Sequence, residues 1–138
     1  MPVPLAVPER AIVQAVNVQR AARGLPGVRA TRGLSRLAER HSRDQLRHDL
    51  IGHVSSDGTP FARRVARVGS FAAAGEVIAF APRGSASRAR AVVRMWMRSP
   101  AHRAQLLDPA YRLVGVGRVR GGLGARRGAL VTATLAKR

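Results

Sequence analysis

Residues 89 to 103 read ARAVVRMWMRSPAHR and predict two consecutive helices with a sharp break between them. The residues Pro82 to Ser85 precede the first helix and are expected to cap it. The break falls at Ser99, which can cap the second helix, and at Pro100, which suits a first helical turn. His102 then lies near the positive end of the second helix, where a neutral ring is favoured. The apolar face of the first helix comprises Ala89, Val92, Val93, Trp96 and Met97.

Further helices are predicted upstream of this stretch. One begins at Pro8 and ends before the turn Gly24–Gly27. Another runs from about Leu34 to Leu50, and a short one covers Phe61 to Val68. The helix from Leu34 has an apolar inner face and a basic outer face. Its inner face comprises Leu34, Leu37, Ala38, His41 and Gln45, and its outer face comprises Arg32, Arg36, Arg40, Arg43 and Arg47.

Three short apolar runs predict β-strands. They are Glu76–Phe80, Leu113–Gly117 and Ala129–Leu135, and a loop rich in glycine and arginine is expected between the last two. Within that loop, Gly121 to Gly124 predict a turn. A chain of 138 residues allows one compact domain. We therefore expect a mixed α/β fold with an N-terminal tail at residues 1–7 and a single domain at residues 8–138.

The composition excludes several classes of protein. The chain has no cysteine, so disulfide scaffolds, thiolate zinc sites and cysteine nucleophiles are ruled out. No apolar run is long enough for a membrane-spanning helix. With 25 basic and 7 acidic residues, the net charge of +18 favours a polyanionic partner such as nucleic acid, anionic lipid or cell-wall polymer. Nearly all of the basic residues are arginine, which a GC-rich genome also produces, so the charge alone does not identify a partner.

Two histidines and one glutamate are the candidate site residues. His53, His102 and Glu76 match the ligand set of open zinc sites. Because none of the three lies within a helical turn of another, a second interpretation stays open. In it His53 is a cap, Glu76 is buried and satisfied by backbone donors, and His102 is at the surface. Of the remaining histidines, His41 is predicted to be a core residue and His48 to be solvated.

A nucleic-acid-binding surface has weaker support. The arginine face of the helix from Leu34 could lie along phosphates. Aromatic residues make up only 4% of the chain, however, which leaves few side chains to stack on bases. The sequence also has no phosphate-binding loop and no nucleophile elbow. A solvated basic face is therefore favoured.

Six segments occur in a fixed order: Asn17–Arg20 with Gly24-Leu25, Leu37-Ala38 with His41, Gly52–Gly58 with Phe61 and Arg64, Gly75–Ala79, Trp96–Arg103, and Gly115–Gly117. Together they resemble the CAP superfamily of cysteine-rich secretory, antigen 5 and pathogenesis-related proteins. The similarity is to its short, cysteine-free bacterial branch of SCP-like extracellular proteins, and it covers about Pro8 to Leu135. It implies a CAP-type α-β-α sandwich, in which a small antiparallel sheet lies between helical layers beside a surface cleft.

The resemblance also implies a shared site in that cleft. In the family, two histidines and two acids bind divalent metal in some members, and His53, Glu76 and His102 fall on three of those positions. The fourth position is Ser99 here, which weakens the expected affinity for zinc or another divalent metal. Val77 stands where the family usually has asparagine, which removes a polar group beside the cleft. No organic cofactor is implied.

The resemblance implies several functions, since the family includes lipid and sterol binding, host signalling and contested proteolysis. We expect a non-catalytic binding domain for a divalent metal, an anionic cell-wall polymer or a lipid. One alternative is a metal-dependent hydrolase that uses His53, Glu76 and His102, with Ser99 or Ser55 positioning substrate. A second is a basic nucleic-acid-binding protein. The N-terminus MPVPLAVPER does not read as a signal peptide. Because the family is mostly secreted, we expect an extracellular or cell-wall-associated protein whose leader is missing from this chain.

Overall fold

The protein is described from a computed structural model that covers residues 5–84 and 88–138. The expected cap residue Ser85 lies outside these described residues. The described chain contains α1 (Val7–Ala21), β1 (Arg29–Ala30), α2 (Arg32–Arg47), α3 (Phe61–Ala66), β2 (Ala73–Pro82), α4 (Ala89–Arg98), α5 (Pro100–Leu106), β3 (Leu113–Leu123) and β4 (Arg126–Lys137).

The strands form one four-stranded sheet in the order β1-β3-β4-β2. The three long strands pair antiparallel, as predicted. The edge strand β1 was not predicted, and it runs parallel to β3. With two residues it is too short to show an alternating pattern. Two backbone hydrogen bonds hold β1 beside β3: Arg29 N donates to the carbonyl of Arg112, and Thr31 N donates to the carbonyl of Val114.

Helices cover both faces of this sheet. On one face, α1 and α4 pack against alternate residues of β2 such as Val77 and Ala79, and Trp96 of α4 is completely buried there. On the other face, Ile78 and Phe80 pack with Leu46 of α2. Because side chains alternate across a strand, one strand serves both layers. The expected α-β-α sandwich of mixed α/β class is confirmed. None of the helices in the described residues is both long and apolar enough to cross a membrane.

The prediction of a loop rich in glycine and arginine between the last two strands was wrong. Strands β3 and β4 continue through it, with Gly121 opposite Gly128 and Gly122 opposite Arg127. Only the turn itself remains, where Gly124 has a φ of 60°. Backbone hydrogen bonds form a ladder whatever the side chains are, so a run of glycine and arginine can be paired without an apolar alternation. β2 is longer than predicted for the same reason.

The helix boundaries differ from the predictions at two ends. Helix α2 begins one residue after Thr31, whose Oγ1 accepts a hydrogen bond of 3.3 Å from Leu34 N. It ends at Arg47 rather than Leu50, because Asp49 adopts a left-handed φ of 56°, which cannot continue a helix. Ser99 occupies the N-cap position of α5, but its side chain makes no capping hydrogen bond. The expected role of this serine as a side-chain cap was therefore wrong.

Helix α2 lies close to β3, and glycine makes this approach possible. A Cβ atom on Gly115 would overlap the backbone carbonyl of Leu34, and one on Gly117 would overlap the backbone of Glu39. Backbone cannot rotate away as a side-chain end can, so α2 would have to shift.

Replacing Gly115 with alanine is therefore expected to lower the free energy of unfolding by about 1–3 kcal/mol. Gly52→Ala is the matched control, because a Cβ there meets no atom within 4 Å. Urea unfolding followed by circular dichroism measures both variants. Equal stability of the two variants would show that α2 can move without cost.

Candidate functional site

A buried ion pair forms the centre of the site. Glu76 lies in the buried part of β2, and only 1% of its side chain is exposed. Arg64 of α3 donates from Nη1 to Oε2 at 3.0 Å and from Nη2 to Oε1 at 2.9 Å. This is the two-pronged geometry in which guanidinium and carboxylate bind most specifically. The expectation that backbone donors satisfy Glu76 was wrong, since side chains do so.

His53 completes this centre from the loop that follows α2. Its Nδ1 lies 2.9 Å from Oε1 of Glu76, which fixes the orientation of the ring. Its carbonyl accepts a 2.8 Å hydrogen bond from Nη2 of Arg64. The side chain is 54% exposed, and its Nε2 has no hydrogen bond to any part of the chain that the structure describes. Thus Arg64 holds both the loop and the carboxylate, and His53 presents one ring nitrogen at the surface.

His102 lies next to this centre but is not bonded to it. It is half-buried on α5, and burial of the imidazole lowers its pKa. The charge of nearby His53 lowers the pKa further. The direction agrees with the neutral ring predicted from the sequence, although burial and His53 cause it rather than the end of the helix. The structure therefore joins His53 to Glu76 and places His102 beside them.

His41 is a second, buried histidine behind the centre. As predicted, it is a core residue, with 2% exposure. Its Nε2 lies 2.6 Å from the carbonyl of Gly52 and 3.9 Å from Oε1 of Glu76. His48 is exposed, also as predicted, and its Nδ1 lies 2.9 Å from the carbonyl of Asp44.

Sequence reasoning did not assign a role to Arg64. It appeared only within a family segment, because arginine on a short helix is most often solvated. A usable signal was present in Glu76, since a carboxylate inside an apolar strand requires a cationic or strongly donating partner. Arg64 is also stacked on Phe61, with the guanidinium carbon 5.2 Å from the ring centre.

The residues present do not fit a three-ligand metal site. Both oxygens of Glu76 accept hydrogen bonds, and the adjacent guanidinium of Arg64 would repel a cation. Within residues 5–84 and 88–138, no group of three histidine, cysteine, aspartate or glutamate side chains is arranged to hold a metal ion. The imidazoles of His53 and His102 remain as donors, with Glu76 supporting His53 from behind. A zinc site formed by His53, His102 and Glu76 remains a prediction from the sequence, and a titration can test it.

Zinc titration by calorimetry tests that prediction directly. We expect no sharp one-to-one equivalence point, because Glu76 would have to leave Arg64 before it could bind the ion. The same titration with His53→Ala and His102→Ala is the comparison. Tight binding by the unaltered chain that is lost in both variants would contradict our expectation and support the shared metal site.

The stability of the protein is expected to fall below neutral pH because of His41. Burial lowers the pKa of His41 from its ordinary 6.5, and Arg64 adds to this while Glu76 and the Gly52 hydrogen bond oppose it. In the pH range between the lowered pKa of the folded state and the pKa of 6.5 in the unfolded state, the unfolded chain binds more protons than the folded one. Stability therefore rises with pH in that range. The contribution is complete above pH 6.5 and is lost as the pH falls through the lowered value.

Urea unfolding across this range checks the pH dependence. One such group gives a slope of up to about 1.4 kcal/mol per pH unit. His41→Asn should show a flatter curve than His48→Asn, whose replaced side chain is exposed. The slope is the readout, so a lower stability of the His41 variant does not affect the comparison. Equal slopes would exclude His41 as the source.

The sandwich and its centre together define a class of protein. It is a cysteine-free α-β-α domain with a histidine-supported glutamate on the central sheet. The family model described as "Cysteine-rich secretory protein family", abbreviated CAP, matches residues 13–133. The chain belongs to this family.

A bacterial relative shows the same similarity in sequence. The chain is 32% identical over 115 residues to the uncharacterized protein YkwD of Bacillus subtilis strain 168. The aligned part covers 83% of this chain and 43% of that relative. The chain thus spans less than half the length of the relative.

The chain is also similar in fold to solved structures of other proteins. An extracellular protein containing an SCP domain from Bacillus anthracis has a TM-score of 0.79 at 23% identity, covering 99% of this chain and 45% of that one. An outer surface protein from Borrelia burgdorferi has a TM-score of 0.81 at 18% identity, covering 94% of this chain and 91% of that one. At these identities the similarity shows the fold alone.

Proposed function

We propose that this chain is an extracellular, non-catalytic binding domain whose site at His53 and His102 holds an anionic, phosphate-bearing ligand of the cell surface. The pairing of Glu76 with Arg64 is the observation that carries this proposal. It neutralises the carboxylate. Because a carboxylate only accepts, Nδ1 of His53 donates to Glu76, and Nε2 of the neutral ring can accept from a hydroxyl group of the ligand, while His102 can donate to its phosphate. The similar structures from Bacillus anthracis and Borrelia burgdorferi are described as an extracellular and an outer surface protein, which supports the location.

The charge distribution supports an anionic ligand. The chain has a net charge of +18, and the arginines on the outer face of α2 are all exposed. The chain has only seven acids, and the net charge already counts them. Four of these acids have local hydrogen-bond partners, namely Glu39 with Arg43, Asp44 with Ser56, Asp57 with Thr59, and Asp108 with Ala110. The resulting positive field attracts polyanions over a distance that salt controls.

The hydroxyl groups near the site support binding rather than catalysis. A serine nucleophile needs a base within hydrogen-bond distance. In the part of the chain that the structure describes, neither Ser55 nor Ser99 has a hydrogen bond between its side chain and a histidine. Ser99 also stands where the resemblance places the second acid, so the site has a single carboxylate, and Arg64 holds it.

Co-sedimentation tests the proposal with two sources of phosphate. One arm uses a glycerol-phosphate wall polymer, and the other uses phosphatidylglycerol vesicles with phosphatidylcholine vesicles as the neutral control. Binding to at least one phosphate-bearing source is expected to weaken when salt rises from about 50 mM to about 200 mM. The arm that retains the protein identifies the source. Retention that is unaffected by salt, or equal on neutral vesicles, would overturn the proposal.

Variants locate the binding on the protein. Replacing His53 or His102 by alanine is expected to weaken retention about threefold to tenfold, as for one lost hydrogen bond. His48→Ala is the matched control, because that histidine is exposed and lies outside the site. Equal effects of all three substitutions would place the ligand on the general basic surface instead.

A further inference from the structure

Three exposed apolar side chains lie together in the loop that follows α2. They belong to Leu50, Ile51 and Val54, which are 43%, 52% and 53% exposed. Among the described residues, six large apolar side chains are strongly exposed, and half of them fall in this stretch of five residues. We call residues 50–54 the apolar loop. Single exposed apolar residues are ordinary, whereas a contiguous group of them indicates a contact surface.

The protein holds the backbone of the apolar loop from beneath. Leu50 N donates to the carbonyl of Gln45 at 2.8 Å. Three buried side chains of α2 and α3 also bind carbonyl groups of the loop. These hydrogen bonds run from Gln45 to Val54, from His41 to Gly52 and from Arg64 to His53. The loop is therefore fixed before it binds, so little conformational entropy is lost on binding.

These hydrogen bonds also decide which kind of partner fits. A polar backbone group that enters an apolar phase is costly unless it already has a partner. Three carbonyl groups and one N–H of the apolar loop have partners inside the protein. A peptide that pairs with backbone would find these groups taken, whereas an apolar phase does not need them.

Positive charge lies beside the apolar loop. The tip of the hairpin formed by β3 and β4 adjoins it, because Gly124 N donates a hydrogen bond to Oδ1 of Asp49. Residues 44–54 and 120–127 together carry four arginines and two aspartates, which leaves a net charge of +2 with neutral histidines. The four arginines are all exposed, and they are Arg47, Arg120, Arg126 and Arg127. In the turn beyond the loop, Asp57 is close enough to Arg67 for that charge to lower its pKa.

We propose that the apolar loop inserts into the surface of an anionic lipid bilayer. Leu50, Ile51 and Val54 enter the boundary between head groups and acyl chains, and the neighbouring arginines contact the phosphates. His53 belongs to the same loop and is brought to the head groups with it. The inference rests on the proposed function, whose phosphate it assigns to a lipid rather than to a wall polymer.

Co-sedimentation with phosphatidylglycerol vesicles tests the role of the loop. Ile51→Gln is expected to weaken retention on the vesicles about tenfold, because it removes apolar surface without changing the charge. Val18→Gln is the matched control, since Val18 is 65% exposed but lies on α1. Both positions are exposed, so neither substitution disturbs the core. Equal retention of the two variants on the vesicles would overturn the inference.

Fluorescence quenching measures insertion itself. Trp96 is the only tryptophan of the chain and is completely buried, so Ile51→Trp adds a reporter in the apolar loop. Phosphatidylglycerol vesicles that contain a nitroxide-labelled acyl chain are expected to quench the fluorescence of this variant. Val18→Trp and the unaltered chain should lose little fluorescence. If vesicle-bound Ile51→Trp were quenched no more than Val18→Trp, the loop would remain in water and the inference would be wrong.

The two proposals fail in different ways. Retention on the wall polymer without retention on phosphatidylglycerol vesicles would overturn the insertion of the loop and leave the proposed function standing. Vesicle retention that Ile51→Gln weakens, but that His53→Ala and His102→Ala leave unchanged, would support the loop and refute the histidine site.

Discussion

Replacing Arg64 with methionine is expected to lower the free energy of unfolding by about 3–5 kcal/mol. The substitution leaves the carboxylate of Glu76 charged, buried and without its two strongest donors. It also removes the hydrogen bond that holds the carbonyl of His53. Few single substitutions cost this much, and an unpaired buried charge is one of the recognised causes.

The control for this prediction lies next to it in the chain. Arg63 is on the same short helix but is exposed, so Arg63→Met should change stability by less than about 0.5 kcal/mol. Chemical unfolding in urea measures both. Adding Glu76→Gln to Arg64→Met should cost less than the sum of the two single changes, because the charge that lacks a partner is then removed. Additive costs would show that the two residues are not coupled.

Replacing Arg20 with methionine is expected to lower the free energy of unfolding by about 4 kcal/mol or more. Arg20 lies at the end of α1 and is completely buried, yet it contacts no carboxylate among the described residues. Its guanidinium instead donates to four backbone carbonyls at 2.8–2.9 Å. These belong to Pro26, Leu106, Asp108 and Tyr111.

Methionine would fill much of the space but leave the carbonyls of Pro26, Leu106 and Tyr111 without the guanidinium donor. The carbonyl of Asp108 would keep its hydrogen bond from Tyr111 N. Arg20→Lys tests the geometry, because lysine keeps the charge and lacks the planar fork, so it should recover only part of the loss. The exposed Arg23, three residues further on, is the matched control, and Arg23→Met should be nearly neutral. If Arg20→Met were as stable as Arg23→Met, the four hydrogen bonds would have no net value.

Arg64 and Arg20 show the limit of sequence reasoning in this chain. Both stand in segments that resemble the CAP family. Arg20 continues the buried face of α1 after Ile12 and Val16, but that spacing does not show which groups it binds. Nothing local distinguishes Arg64 from the many exposed arginines. An arginine is placed inside a protein only when distant parts of the chain supply acceptors. For Arg20, three of the four acceptors come from residues 86 to 91 positions away along the chain. Such a coincidence has no signature in hydrophobic periodicity.

The sequence by itself determined the helices, the long strands and the family. Apolar residues at helical spacing marked the buried faces of α2 and α4, and these faces depend only on local geometry. The segments around His53, Glu76 and His102 marked the region of the site. The sequence pattern did not show the extent of β3 and β4 or the existence of β1. These depend on strand pairing, which is a contact between remote segments.

Only the tertiary structure decided what the site residues do. It placed Arg64 against Glu76, and this pairing makes the carboxylate a support for His53 rather than an available ligand. It also placed Gln45, His41 and Arg64 beneath the apolar loop, where each binds a carbonyl group of that loop. The physical reason is that a side chain's charge, protonation and hydrogen bonds depend on neighbours from other elements. Residue type and spacing specify which groups are present, whereas folding specifies which of them remain free to bind.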